Sequence, residues 1–205
     1  MITKPCVSLT FFALFLFFAA TAGAASLTPL EGLEMLRRAF AGVNDFSAGI
    51  VQEKQLAIMK RKMTASGEVR FRKPDTFYME IYSPYASRIL LKNNTLTMKL
   101  PNEGERQKVT LPPEQGLGRW FELLDRPVKS LPEGFHIRAD KRGDTVSLRI
   151  APSGKGAVKE LEISFREEGR LRRLVIEENN GDRTVITFQG MKRNSGLTDK
   201  DFGLE

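Results

Sequence analysis

Cysteine, histidine and tryptophan are nearly absent from this 205-residue chain, which holds one of each. One cysteine cannot close an intramolecular disulfide, and one histidine beside it cannot build a His/Cys-rich zinc site. Nothing in the chain reads as a phosphate-cradling glycine loop followed by Lys-Ser/Thr. No serine sits in a nucleophile elbow, and no carboxylate pair has a recognisable catalytic spacing; Glu167-Glu168 and Glu177-Glu178 lie in or beside turns and read as solvated charge. No enzyme activity, cofactor or metal is expected. Linkers, low-complexity runs and repeats are also missing, so one domain is expected. His136 sits between Phe135 and Ile137 in a strand-like stretch and reads as structural.

What is present begins with a leader. Lys4 is the sole charge before Glu31, and Cys6 to Ala20 is almost wholly apolar, with Phe11, Phe12, Phe15, Phe17 and Phe18. Thr21-Ala22-Gly23-Ala24-Ala25 then supplies small residues. A positive start, an apolar centre and an Ala-x-Ala-like end make residues 1–25 a secretory signal peptide and residues 26–205 the mature domain. An uncleaved anchor is the alternative, but the apolar run is short for a span. Cys6 precedes the apolar run, whereas a lipoprotein signal ends it with cysteine. Cleavage would therefore remove Cys6 and leave a soluble, unlipidated, thiol-free protein. The excess of 32 Lys and Arg over 25 Asp and Glu is spread along the chain, suiting anionic membrane surfaces or acidic partners. Nucleic acid is not an expected partner of an exported chain.

One helix is predicted after the leader. Thr28 can cap, Pro29 suits the first turn, and Glu31 completes a capping box. Leu30, Leu33, Leu36, Phe40 and Val43 recur at helical spacing, and Gly42 stops the run. From Asp45 onward the period is two. Alternation and turn residues such as Asn93-Asn94 and Asn179-Asn180-Gly181-Asp182 predict about eleven short antiparallel strands. A second short helix is predicted where Leu117, Trp120, Phe121 and Leu124 fall at i, i+3, i+4 and i+7.

The expected fold class is mainly β: a strongly curved antiparallel sheet forming an unclosed barrel with a helical lid. So many strands exceed an ordinary flat sheet and must curl. Apolarity assigns the inner face. Its first half is Phe46, Ile50, Val69, Phe71, Phe77, Met79, Leu96 and Met98; its second is Val146, Leu148, Ile150, Leu161, Ile163, Phe165, Leu174 and Ile176. Arg70, Arg72, Glu80, Lys99, Arg149, Glu160, Glu162 and Glu177 take the opposite parity and read as a solvated exterior. Two short helices can cap this concavity. The residues alone leave open whether the space beneath is a ligand cavity or a packed core.

The order of several pieces resembles the LolA-like periplasmic lipoprotein carriers over nearly the whole mature region. They are the first amphipathic helix, Asp45-Phe46-Ser47-Ala48-Gly49-Ile50-Val51-Gln52, Ser66-Gly67-Glu68-Val69-Arg70-Phe71, Lys73-Pro74-Asp75-Thr76-Phe77, and the tail from Leu197 to Phe202. The resemblance implies an eleven-stranded unclosed barrel with a helical lid, working in the periplasm as a monomer. It implies acylated lipoproteins as cargo, an inner-membrane ABC transporter as donor and an outer-membrane acceptor. Leu33, Leu36, Phe40, Leu117, Trp120, Phe121 and Leu124 would form the lid.

The departures are specific. The family's arginine before the motif proline, which bonds to the lid, is Lys73 here, making Lys73 the candidate latch. A lysine brings a point charge and no planar fork; Arg70, Arg72 and Arg88 are nearby substitutes. A family tryptophan is replaced by Met79, which suits varied acyl chains and is equally ordinary core filler. Phe77 matches a position at the barrel mouth, or is simply a strand residue facing inward. Two other readings fit the resemblance: a carrier of another amphiphile such as a free lipid, and a regulator that senses lipoproteins.

Overall fold

The computed structural model describes residues 25–59, 61–99, 106–111, 125–154 and 156–203. It contains one open antiparallel sheet and, among these residues, one α-helix. The strands are β1 (Ala25–Leu27), β2 (Asp45–Leu56), β3 (Arg61–Arg72), β4 (Thr76–Ile81), β5 (Ser87–Lys92), β6 (Thr95–Lys99) and β7 (Gln107–Thr110). They continue with β8 (Phe135–Arg142), β9 (Thr145–Pro152), β10 (Val158–Arg166), β11 (Arg170–Glu178) and β12 (Arg183–Arg193). Helix α1 spans Pro29–Phe40, and a 3-10 helix at Asp199–Phe202 ends the described chain.

The spatial order is β1-β8-β9-β10-β11-β12-β2-β3-β4-β5-β6-β7. Consecutive strands pair as hairpins except where β12 returns beside β2 and β1 adds outside β8, so the sheet is one meander cut and rejoined at β2/β12. The edge strands β1 and β7 do not pair with each other, which leaves the barrel open. The described residues form twelve strands where the alternation predicted eleven; the additional one is β1, a three-residue strand pairing Ala25 with Lys141 and Leu27 with Ala139. The leader boundary expected at Ala25 thus overlaps the first strand residue. The β5–β6 turn forms as its sequence demands: Asn93 and Asn94 take φ of 49° and 58°, the left-handed pair of a tight hairpin.

Helix α1 starts as predicted. The Glu31 amide donates to Thr28 Oγ1 (3.3 Å) and the Thr28 amide donates to Glu31 Oε2 (2.8 Å). Arg37 and Arg38 occupy its last turn, where cations suit the dipole. The helix lies on β8 and β9 through Gly32. A Cβ built on Gly32 would stand 2.4 Å from Ala139 Cβ and 2.6 Å from Leu148 Cδ2. Only glycine lets the helix backbone settle so close to the sheet.

Two buried clusters share one face of the sheet. Leu33 and Ala39 of α1 join Ile137, Ala139, Val146, Leu148, Ile150 and Phe165 in the first. Phe46, Ala48, Ile50, Val69, Phe71, Ile81 and Ile186 form most of the second. Phe40 touches both clusters and bridges them.

The opposite face is not uniformly solvated, and here the expectation is corrected. The chain after β12 folds back across the outside of β3–β5. Phe202 and Tyr78, each only 3% exposed, pack with Leu90 and Leu197 in a third cluster. Arg72 lies over the Phe202 ring, its guanidinium carbon 5.3 Å from the centroid, and pairs with Asp199. Arg70 donates to the Asp201 carbonyl. Burial pushes the Tyr78 phenol up to about 12, and its hydroxyl donates to Glu80 at 2.8 Å. Arg70 and Arg72 therefore fasten a strap, and Glu80 holds the Tyr78 hydroxyl beneath it, instead of only meeting water. The same outer face also buries Val175 and Val185. The polar tail caps its own turn, since the Thr198 amide and hydroxyl donate to Asp201 Oδ2 at 2.6 and 2.8 Å. At the strap's root, Asp45 accepts from the Ser195 amide (2.7 Å), the Ser195 hydroxyl (3.1 Å) and the Gly196 amide (3.1 Å).

Candidate functional site

Strand register decides which side chains share a face, because successive residues point to opposite sides. One row across the sheet runs Phe46, Phe71, Phe77, Leu91, Leu96 through four successive pairings. The next row runs Val69, Met79, Ile89, Met98. Ile50 lies on the Phe46 side of β2, opposite Gly67. On the other wing Phe165 faces Val146, Ile163 faces Leu148, and Ile150 faces Leu161. Ile163 also faces Leu174, and Leu161 faces Ile176. All sixteen residues assigned to the inner wall thus stand on one face.

They do not share one environment. Phe46, Ile50, Val69, Phe71, Leu148, Ile150 and Phe165 are buried by the protein itself. The Phe46 and Phe71 rings pack at 5.4 Å between centroids. Phe165 meets the edge of Phe40 at 6.3 Å, beneath the end of α1. Phe77, Met79, Leu96, Met98 and Ile163 are only half-buried. The inner face is therefore part core and part apolar surface, and the second part is concentrated on β4–β6. Ile89 and Phe188, half-buried on the same face, extend that surface. Sequence reasoning missed Ile89 because Ile89-Leu90-Leu91 is an unbroken apolar run with no parity to read.

Of the lid residues, Leu33 is buried against the sheet, while Leu36 and Phe40 pack beside it half-buried. Leu117, Trp120, Phe121 and Leu124 lie outside the described residues. The stretch that follows them is anchored at two points. Lys73, in the β3–β4 turn, donates from Nζ to Asp125 Oδ1 at 2.6 Å. The Val128 amide donates to Glu34 Oε2 of α1 at 3.2 Å. Glu34 also accepts from Arg37 (2.7 and 2.8 Å) and Arg38 (3.0 Å). Arg37 above all holds this carboxyl down at about 2. Asp125 as the partner of Lys73 was invisible in the sequence, because 52 residues separate them and nothing local marks the pairing. Of the nearby substitutes, Arg70 and Arg72 are committed to the outer strap, and Arg88 donates to Glu80 at 2.8 Å.

The inner face carries little polarity. Gln52 and Lys54 continue the inward parity of β2 toward its far end, and the Gln52 side-chain oxygen is buried with no hydrogen-bond partner among the described residues. Apolar side chains with few polar groups can hold hydrocarbon by exclusion of water and offer little to a charged or strongly hydrogen-bonding ligand.

Comparison with known proteins agrees with this geometry. Residues 41–205 match the family model described as outer membrane lipoprotein carrier protein LolA. An outer-membrane lipoprotein carrier protein of Chromohalobacter salexigens is 23% identical over 177 residues, 85% of this chain and 82% of its own. The corresponding protein of Pseudomonas putida strain GB-1 is 24% identical over 140 residues, and the match spans 67% of this chain but just 66% of that relative. Among solved structures, an uncharacterized conserved protein from Thermus thermophilus superposes with a TM-score of 0.51 at 11% identity, covering 84% of this chain and 92% of the other. That last likeness is one of fold.

Proposed function

The chain belongs to the LolA family of outer-membrane lipoprotein carriers, and from that premise we propose that it shields the acyl chains of a lipoprotein against its inner sheet face during transfer from the inner to the outer membrane. The observation that carries the proposal is the half-buried apolar surface of Phe77, Met79, Leu96, Met98 and Ile163, all on the face that α1 partly covers. Each methylene moved from water to apolar surroundings contributes about 0.8 kcal/mol, so an acyl chain of ordinary length gains roughly 12 kcal/mol from such a surface. Methionines at two of the five positions let the surface fit chains of different shape.

Release has to be as feasible as uptake. Lys73 and Asp125 serve as the latch between the β3–β4 turn and the stretch leaving the lid. Asp125 is more than half exposed, so the pair is worth about 1 kcal/mol or less and opens readily. The protein would act in the periplasm after removal of its leader, taking cargo from a membrane transporter and yielding it to an outer-membrane acceptor. The test is transfer: purified protein loaded with a triacylated lipoprotein should deliver it to outer-membrane vesicles. Phe77→Glu, which puts a charge at the mouth of the apolar face, should abolish loading while the fold survives. Loading unaffected by Phe77→Glu would refute the assignment of this face.

A further inference from the structure

The most exposed large apolar side chain among the described residues is far from the inner face. Ile58, at the tip of the β2–β3 hairpin, is 96% exposed, and the adjacent Met59 is 57% exposed. The backbone of residues 56–59 is nonetheless held in place. The Met59 amide donates to the Leu56 carbonyl (3.2 Å) and the Ala57 amide donates to Asp182 Oδ1 (2.9 Å). These bonds fix the turn while leaving both apolar side chains pointing at solvent. On one side the hairpin is uncovered: the β4 ladder on β3 ends at Gly67, so residues 61–65 run on beyond it for about 17 Å. On the other side β12 accompanies β2 as far as Gln55, and the β11–β12 turn meets Ala57 through Asp182.

The residues behind the tip are basic. The sequence continues Lys60-Arg61-Lys62. Arg61 has no ion-pair partner among the described residues, and Lys62, 58% exposed, pairs with Glu53 at 2.6 Å. Glu53 is taken up by Lys62, and Asp182 accepts the Ala57 amide. Two projecting apolar side chains with a cationic collar are the elements of an interfacial anchor: the apolar part enters the headgroup boundary and the charges meet anionic lipid. A protein partner fits less well. A stable protein interface needs roughly 800 Å² from each side, and a narrow turn presents two side chains and no groove.

We propose that the β2–β3 tip docks this protein on a bilayer carrying anionic lipid, with Ile58 and Met59 inserted and Arg61 and Lys62 against the headgroups. The tip lies at the end of β3 remote from Lys73, so docking leaves the latch free. This surface is separate from the inner face and holds whatever the cargo is.

The experiment uses processed protein recovered from the periplasm and co-sedimented with phosphatidylcholine vesicles, with or without phosphatidylglycerol. Wild-type protein should bind the phosphatidylglycerol vesicles and lose binding as salt rises. Ile58→Ser/Met59→Ser should weaken binding roughly tenfold or more, with an unchanged circular dichroism spectrum. Arg61→Ser should weaken it about fivefold and flatten the salt dependence. Acylated-peptide binding should survive in both variants. Wild-type binding that ignores phosphatidylglycerol, or a serine double variant that binds like wild type, would overturn the proposal. So would a tip that matters only on membranes containing their proteins, since a protein would then be its occupant. Wild-type protein that binds vesicles through the tip and yet fails to bind acylated peptide would sink the carrier reading and leave this one standing.

Discussion

Gly32→Ala tests how α1 is held over the inner face. In a free helix this change is favourable by about 1 kcal/mol, because alanine is the better helix former. Here the new methyl would fall 2.4 Å from Ala139 Cβ and 2.6 Å from Leu148 Cδ2. Leu148 can turn aside; Ala139 Cβ is fixed to the β8 backbone. Relief therefore requires the helix to lift by more than an ångström, which loosens Leu33 and Phe40 from their cluster. Overpacking of this kind costs about 1–3 kcal/mol, and the propensity gain offsets only part of it. Urea unfolding should show a net loss of about 1–2 kcal/mol with little change in slope. Uptake of a hydrophobic dye should rise, because the cover sits higher. A variant as stable as wild type, or more so, would show that α1 is not seated through Gly32, and the packing argument would fail with it.

Three further outcomes follow from the contacts. Lys73→Leu should cost at most about 1 kcal/mol of global stability yet speed dye uptake severalfold, measured by stopped flow; unchanged uptake would place the latch elsewhere. Glu34 titrates near 2, well below an ordinary carboxyl, so its hold on Arg37 and on the Val128 amide is complete above about pH 4.5 and is lost as pH falls toward 2. Dye uptake should therefore climb across that acid range in wild type and be higher and flatter in Glu34→Gln; identical profiles would contradict this. Phe202→Ala should destabilise by about 3 kcal/mol, read from the urea midpoint, because the ring is buried on the outer face under Arg72. A change below about 0.5 kcal/mol would mean that the strap is not part of the folded core.

Much of the wall was legible because β3 alternates cleanly. Ala65, Gly67, Val69 and Phe71 are buried, and the residues between them are polar. The helix start was equally readable, since its cap is local. The far half of β2 was not, because Gln52-Glu53-Lys54-Gln55 has no apolar rhythm and is extended only by its pairing to β3 and β12. The strap hid for a related reason: Tyr78 takes the outer parity of β4, and the residue that covers it, Phe202, lies far along the chain. Parity tells which face a residue takes. It does not tell that Phe165 lies under α1 while Phe77 stays half open, because that depends on where a separate element comes to rest. Long-range ion pairs such as Lys73–Asp125 leave no periodic trace at all.

Calorimetric titration with a triacylated lipopeptide, and with the same peptide lacking its acyl chains, addresses the central claim most directly. Shielding of hydrocarbon on the inner face predicts one-to-one binding of the acylated form, with a negative heat-capacity change and no detectable binding of the bare peptide. Equal affinity for the two peptides, or acyl binding undiminished by Phe77→Glu, would contradict it.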